Sequence, residues 1–336
     1  MRRIGKVFGV LLLGAIVTGM TLWAMGALYY APLPPRLRGP LALAYGLATA
    51  VAFLVLPRRR WTLLGFGLVW AALVLWWSTI PASNSRDWQP DVAVLPYATR
   101  DGDRITLHNI RNFIYRTATD FTPRYYDKTF DLQRLDSVDL VSVYWAGEAI
   151  AHIMVSFGFG EQDYVAVSIE TRKERNEDYS TIAGFFKQYE LIYVVADERD
   201  VIRLCTTYRQ PTEEVYLYRT RIAPTQARRL FLDYVREINQ LVQQPAFYNT
   251  LTTNCTTNVL FHARASGGSA RFNWKILLSG YAPAYAYDMG RLDTSLPFAE
   301  LKQRSHINAR AQEAGDAPDF SQRIRAGLPR PLPVSK

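Results

Sequence analysis

The chain has 336 residues, is 49% hydrophobic and 21% charged, and carries a formal net charge of +9 from 39 Lys and Arg against 30 Asp and Glu. That excess does not belong to a nucleic-acid-binding surface. Eight of the basic residues and none of the acidic ones fall in residues 1–80, so the remainder is balanced at 31 against 30 and has no surplus cation with which to neutralise a phosphate backbone.

The first 80 residues read as three membrane spans. Apolar runs extend over Ile4 to Leu28, Leu41 to Leu56 and Trp61 to Ile80, and a bilayer core needs about 20 apolar residues in a helix. Arg2, Arg3 and Lys6 precede the first run, Arg36 and Arg38 follow it, and Arg58, Arg59 and Arg60 follow the second. Short cytoplasmic loops retain Lys and Arg. An inside N-terminus therefore puts six cations inside and two outside, and everything after about Pro81 on the outer face. A cleaved signal peptide is the rival reading of the first run, given its basic start and the small residues around Ala24 to Ala27.

Residues 81–90, "PASNSRDWQP", read as a linker into a domain over 91–312. A strand is expected around Ile105 to Tyr115, then one short helix and one strand in "YYDKTFDLQRLDSVDLVSVYW". From Ile150, "IAHIMVSFGF", "YVAVSIE", "LIYVVA" and "VIRLCTTY" are short runs rich in Val, Ile and aromatics between turns, the pattern of consecutive antiparallel strands. The insertion "TRKERNEDYSTIAGFFKQYE" suits a loop and a short helix, and "EEVYLYRTRI" adds a strand. The period then changes: Leu230, Phe231, Tyr234, Val235, Ile238, Leu241 and Val242 form a helical stripe between Pro224 and Pro245. A second helix is expected from Cys255 to about Arg264, and an extended tail over 313–336. The fold class is α+β.

Cys255 lies in "TTNCTTN". Thr253 or Asn254 as N-cap sets it in the first turn of its helix, where the partial positive charge favours a thiolate and free N–H groups, with the Asn254 amide, can hold an oxyanion. Alone, a cysteine beside an N-cap is more often a buried, inert thiol. A nucleophilic thiol needs a base. His262 is seven positions along the same helix and cannot reach; His306 lies in a polar stretch near the tail. His152 is the first choice. On its strand it shares a face with Met154, Ser156 and Gly158, whereas Ile153, Val155, Phe157 and Phe159 form the core face. With a hairpin loop over Phe159 to Asp163 and Gly158 opposite Tyr164, His152 lies across from Glu170 and Met154 from Ser168. Glu170, then Ser168, are the candidates to orient the imidazole. His108 with Arg111, in "LHNIRNFIY", and Tyr248, just ahead of the cysteine motif, are candidate substrate-binding side chains. Zinc-ligand spacing, a glycine-rich phosphate loop and a G-x-S-x-G elbow are all missing, so no metal or other cofactor is expected.

Six blocks in this order, "DWQPDVAVLPYA", "HNIRNFIYR", "AHIMVSFGF", "VSIETRKE", "YELIYVVADERDVIRL" and "FYNTLTTNCTTN", resemble the Lnb-type N-terminal periplasmic domain, a family named for a bacterial lipoprotein N-acyltransferase. The resemblance covers roughly Trp88 to Val259. More distantly, the chain is similar to circularly permuted papain-like, NlpC-type thiol enzymes, in which the histidine strand precedes the cysteine helix. The resemblance implies a nucleophile at Cys255 and a histidine partner at His152. The named acyltransferase carries a membrane region after this domain, whereas three spans precede it here. The expectation is a permuted papain-like domain in the periplasm, anchored in the bacterial inner membrane, acting through a Cys acyl-enzyme on a phospholipid or lipoprotein with the bilayer as its partner. The alternative is a non-catalytic envelope module held by a Cys205–Cys255 disulfide.

Overall fold

A computed structural model describes residues 2–331 apart from 146 and 161. The chain forms two compact units, one of residues up to 83 together with 179–189, the other of 84–178 and 190 onward.

The first unit is built on helices α1 (Arg2–Tyr29), α2 (Pro35–Val55) and α3 (Arg59–Ser78). All three are long and apolar enough to cross a membrane, and their outward faces expose Leu, Val and Phe, as lipid contact requires. Trp23 of α1 packs edge-on against Trp77 of α3 with ring centroids 5.3 Å apart. Residues 179–189 belong with these helices and not with the sheet domain into which their sequence places them. The ring of Phe186 stacks on Tyr30 at 5.5 Å and lies over Gly26, where any Cβ would come within 2.5 Å of it. Lys187 Nζ donates to the carbonyls of Trp77, Ser78 and Ile80 at 3.0–3.1 Å, which satisfies the last turn of α3 and complements its dipole.

The second unit starts at Asn84, so residues 84–90 are part of the domain and not a linker. Trp88 is buried under the guanidinium of Arg172, 4.3 Å above its ring, and Arg86 pairs with Glu174 and the buried Glu190. The strands are β1 (Tyr97–Asp101), β2 (Arg104–Arg111), β3 (Ile114–Tyr115), β4 (Phe121–Thr122), β5 (Tyr125–Asp131), β6 (Leu135–Tyr144), β7 (Ala151–Phe159), β8 (Asp163–Arg172), β9 (Glu190–Ala196) and β10 (Glu214–Arg219). Eight of them make one sheet in the order β1-β2-β9-β8-β7-β6-β10, with β5 also on β2; β3 and β4 form a separate hairpin. The helices are α4 (Glu198–Arg203), α5 (Pro224–Gln243), α6 (Cys255–Ala265), α7 (Trp274–Leu277), α8 (Ala282–Asp288), α9 (Phe298–Arg304), α10 (Asn308–Ala314) and α11 (Phe320–Arg325). The domain is α+β, a sheet packed against helices.

Helix α5 begins with Pro224 at its first position and buries Leu230, Phe231, Tyr234, Val235, Ile238 and Leu241; Val242, at the edge of the stripe, is exposed. Phe157 and Phe159 of β7 meet Phe231 of α5 at 5.0 and 5.2 Å. Two expectations fail. "VIRLCTTY" is helical, as α4 followed by a π-helical turn over Leu204–Tyr208. The Asp197 carboxylate accepts from Arg199 N–H and starts the helix, and Val201, Ile202 and Cys205 recur at helical spacing to enter the core. Cap and burial thus override β propensity. Nor is the tail extended: α10 and α11 lay Ile307, Ala311, Phe320 and Ile324 against the sheet face that bears Met154, Ile192 and Val194. Residues 332–336 lie outside the described residues.

Candidate active site

Cys255 is the first residue of α6, and the chain arrives there through a tight polar turn. Asn249 Oδ1 accepts from the N–H groups of Leu251 and Thr252 at 3.0 and 3.1 Å. Asn254 then caps the helix, its Oδ1 accepting from Thr257 N–H at 2.8 Å and its Nδ2 donating to Thr250 O at 2.6 Å. The Asn254 amide thus spends its oxygen and one of its two N–H donors on the cap and the turn. Asn258 N–H bonds back to Asn254 O. The N–H groups of Cys255 and Thr256, in the first turn, have no intrahelical carbonyl to meet.

His152 is the second residue of β7. The β7–β8 ladder runs from Phe159 opposite Asp163, through Gly158 opposite Tyr164, to Met154 opposite Ser168, and stops. β8 carries on against β9 as far as Arg172. The two strands part at His152, and α6 packs on β7 there. The Cys255 sulfur lies by the His152 side chain and the Ile153 N–H, both of which favour its thiolate, and is 3.7 Å from Thr256 Oγ1. On its other side, His152 Nε2 lies 2.6 Å from Ser168 Oγ and 3.0 Å from Glu170 Oε1, while Ser168 Oγ donates to that same carboxylate oxygen at 2.7 Å. The serine's one proton goes to Glu170, so the proton between serine and histidine is on Nε2. This leaves Nδ1 for the thiol.

Electrostatics follow from this arrangement. Burial opposes a charge on His152, but the Glu170 carboxylate and the bonds to Cys255 and Glu170 outweigh it and raise its pKa to about 10. Burial likewise opposes the Cys255 thiolate; the His152 charge, the Ile153 N–H and Thr256 nonetheless bring its pKa below the ordinary thiol value. Burial pushes Glu170 up, and His152, Ser168 and Arg209 more than reverse this, to about 2. Its side chain is 37% exposed, so solvent screens part of that pull. Both shifts lean toward the thiolate and imidazolium form of the pair.

The other cysteine is of the opposite kind. Cys205 is free and buried, as Cys255 is free and partly exposed; no disulfide joins them. Cys205 lies in the π-helical turn, hydrogen-bonded to Glu213, and burial drives its pKa up. The same Glu213 holds Arg209 at 2.7 and 2.9 Å, and Arg209 is the cation that bears on Glu170.

The remaining candidates lie elsewhere. His108 is a strand residue between Asp127, 2.7 Å from its Nδ1, and Thr99, with Tyr97 stacked on its ring at 4.3 Å. Arg111 is buried and clamped by Asp200, Nη2 to Oδ1 at 2.7 Å, which leaves no fork for a substrate. Tyr248 is buried in the loop between α5 and α6. His262 is a structural histidine, buried, with Nδ1 on Asp233 and Nε2 on Tyr193 Oη, each at 2.8 Å. Sequence reasoning passed over four residues near the thiol: Arg209, Thr256, Tyr234 and Asn258. The last is buried one turn beyond Cys255, and its amide nitrogen has no partner among the described residues.

Among the described residues, no group of three or more His, Cys, Asp or Glu could hold a metal ion. No curated protein and no solved structure matches the chain. Residues 121–284, which contain β7, β8, the parted strands and α6, match the model of the Lnb N-terminal periplasmic domain. Three apolar helices precede that segment, as fits a membrane-anchored envelope protein. Over residues 121–284 the chain is similar to the Lnb N-terminal periplasmic domain family.

Proposed function

We propose that this protein is a thiol-dependent acyltransferase or hydrolase of the bacterial inner membrane, working in the periplasm through an acyl group carried on Cys255. The observation that carries the reading is the Cys255 thiol at the start of a capped helix, with the charge of His152 bearing on it and the ring of His152 held by Ser168 and Glu170.

The thiolate attacks the carbonyl carbon of an ester or amide. The oxyanion is taken up by the N–H groups of Cys255 and Thr256. As the carbon–oxygen or carbon–nitrogen bond breaks, the imidazolium of His152 gives its proton to the leaving group. An amine or water then attacks the thioester, loses its proton to His152, and restores the thiolate. Glu170 and Ser168 hold the ring in the tautomer and orientation that this requires. The chain passes from the membrane-spanning helices into the domain at Ser83–Asn84, and this tether favours a bilayer-resident substrate, a phospholipid or a lipoprotein.

The test is covalent trapping. The full-length protein is purified from membranes, and the peptide containing Cys255 is weighed. An acyl adduct labile to hydroxylamine is expected on Cys255, absent from Cys255→Ala and reduced about a hundredfold or more in His152→Ala. A bare thiol under all conditions, with Cys255→Ala fully able to complement a deletion strain, overturns the reading.

A further inference from the structure

A cavity of about 170 Å³ lies between strands β6 and β7 and helices α5, α6 and α8; Cys255 and His152 do not line it, but their chain neighbours Thr256 and Ile153 do. Thr256, Val259, Leu260 and Ala263 make its α6 wall; these positions share one helical face that begins beside Cys255 and runs away from it. On β7 the wall begins at Ile153, the residue after His152 and the one whose N–H favours the Cys255 thiolate. One polar group stands out. Tyr234 lines the cavity, its hydroxyl is buried with no partner among the described residues, and the charge on Cys255 bears on it.

We infer that this cavity seats the hydrocarbon chain of the acyl group borne by Cys255, and that Tyr234 offers its hydroxyl to the acyl carbonyl end. The inference rests on the thiol reading above. A chain attached to the sulfur reaches the cavity past Thr256, the lining residue adjacent to Cys255. An apolar cavity of about 150 Å³ takes a six-carbon ring, so this one of about 170 Å³ holds about seven carbons. Chain binding therefore strengthens up to roughly that length and no further. Gln226, beside Gly268 past the end of α6, lines the cavity too and offers a growing chain no apolar surface.

The test uses p-nitrophenyl esters from acetyl to dodecanoyl on the full-length protein in nanodiscs. The thiolate forms the carbon–sulfur bond, the carbon–oxygen bond to the phenolate breaks, and the phenolate takes up a proton from the His152 imidazolium. Water then cleaves the thioester to the free acid and returns the proton to His152. The release of p-nitrophenolate and the mass of the Cys255 peptide are followed together. The acylation rate should climb about fourfold per methylene and level off near octanoyl. Ala263→Phe on α6 and Ala286→Phe on α8, which fill the cavity from two sides, should each lower the ratio of octanoyl to acetyl acylation by about tenfold or more. A profile flat in chain length, or a ratio unmoved in both variants while acetyl still labels Cys255, overturns the assignment of the cavity. If no ester of any length labels Cys255, the nucleophile reading fails and the chain site falls with it.

Discussion

Burial alone would neutralise both Cys255 and His152, because an apolar surround penalises either charge. What keeps them charged is the specific partner on each side. For His152 the first opposing cause is the Glu170 carboxylate, and for Cys255 it is the His152 charge. The two titrations are coupled, so they belong to the pair. Acylation should therefore follow a bell: it rises as the thiol loses its proton below the ordinary thiol range and falls as the imidazolium loses its proton around pH 10. Glu170→Gln keeps an oxygen for Ser168 but removes the charge. The imidazolium is then less favoured, its pKa falls, and the thiolate loses part of its counter-charge, so its pKa rises. The bell should narrow from both sides, with each limb moving by about one unit. Burst kinetics across pH read this directly, and limbs that stay in place would show that Glu170 only fills space.

At the scale of elements, the site depends on two breaks in regular structure: the parting of β7 from β8 and the start of α6. Asn254 governs the second. Asn254→Ala removes the acceptor for Thr257 N–H and should cost about 1 kcal/mol of stability, measured by chemical unfolding. Asn254→Asp should restore that stability because aspartate also caps, yet it sets a negative charge beside the sulfur and should raise the thiol pKa by about one unit. The pH dependence of Cys255 alkylation reads the shift, with buried Cys205 as the unreactive internal control; a cap whose charge leaves the alkylation profile in place would contradict this account. The alternation along β7 and β8 made this region legible in advance, since period two fixes which side chains share a face and a one-residue slip would separate Met154 from Ser168. The face opposite Ile153, Val155 and Phe157 is covered too: Ser156 is wholly buried, and Glu198 accepts its hydroxyl proton at 2.6 Å. A polar residue signals water only until another chain segment supplies its partner, and that segment was distant in sequence. Arg209 and Glu213 were invisible for the same reason.

At the scale of the domain, the second sheet face is closed by short helices that carry few apolar residues, and one cation does much of the joining. Arg325 of α11 is 3% exposed. Its Nη2 and Nη1 donate to Glu198 at 2.6 and 2.7 Å, its Nε donates to Asp139 of β6 at 2.8 Å, and its guanidinium lies 3.7 Å above the ring of Tyr164 of β8. Three elements of the domain thus meet on one side chain that the sequence places in an apparent tail. Asp139 keeps Arg219 as a second partner at 2.7 Å; Glu198, fully buried, has among the described residues only the Ser156 hydroxyl to fall back on. Removing Arg325 therefore strands a charge more than it deletes a contact. Arg325→Ala should lower unfolding stability by about 3–5 kcal/mol, the usual cost of leaving one member of a buried ion pair alone. Glu198→Gln in the Arg325→Met background, which removes the stranded charge and restores apolar volume, should recover most of that loss. Pulse proteolysis of the detergent-solubilised protein measures both. If Arg325→Ala proves as stable as the parent, α11 is not what closes this face; if the double variant is no better than Arg325→Ala, the loss comes from packing against Tyr164 and not from the unpaired Glu198.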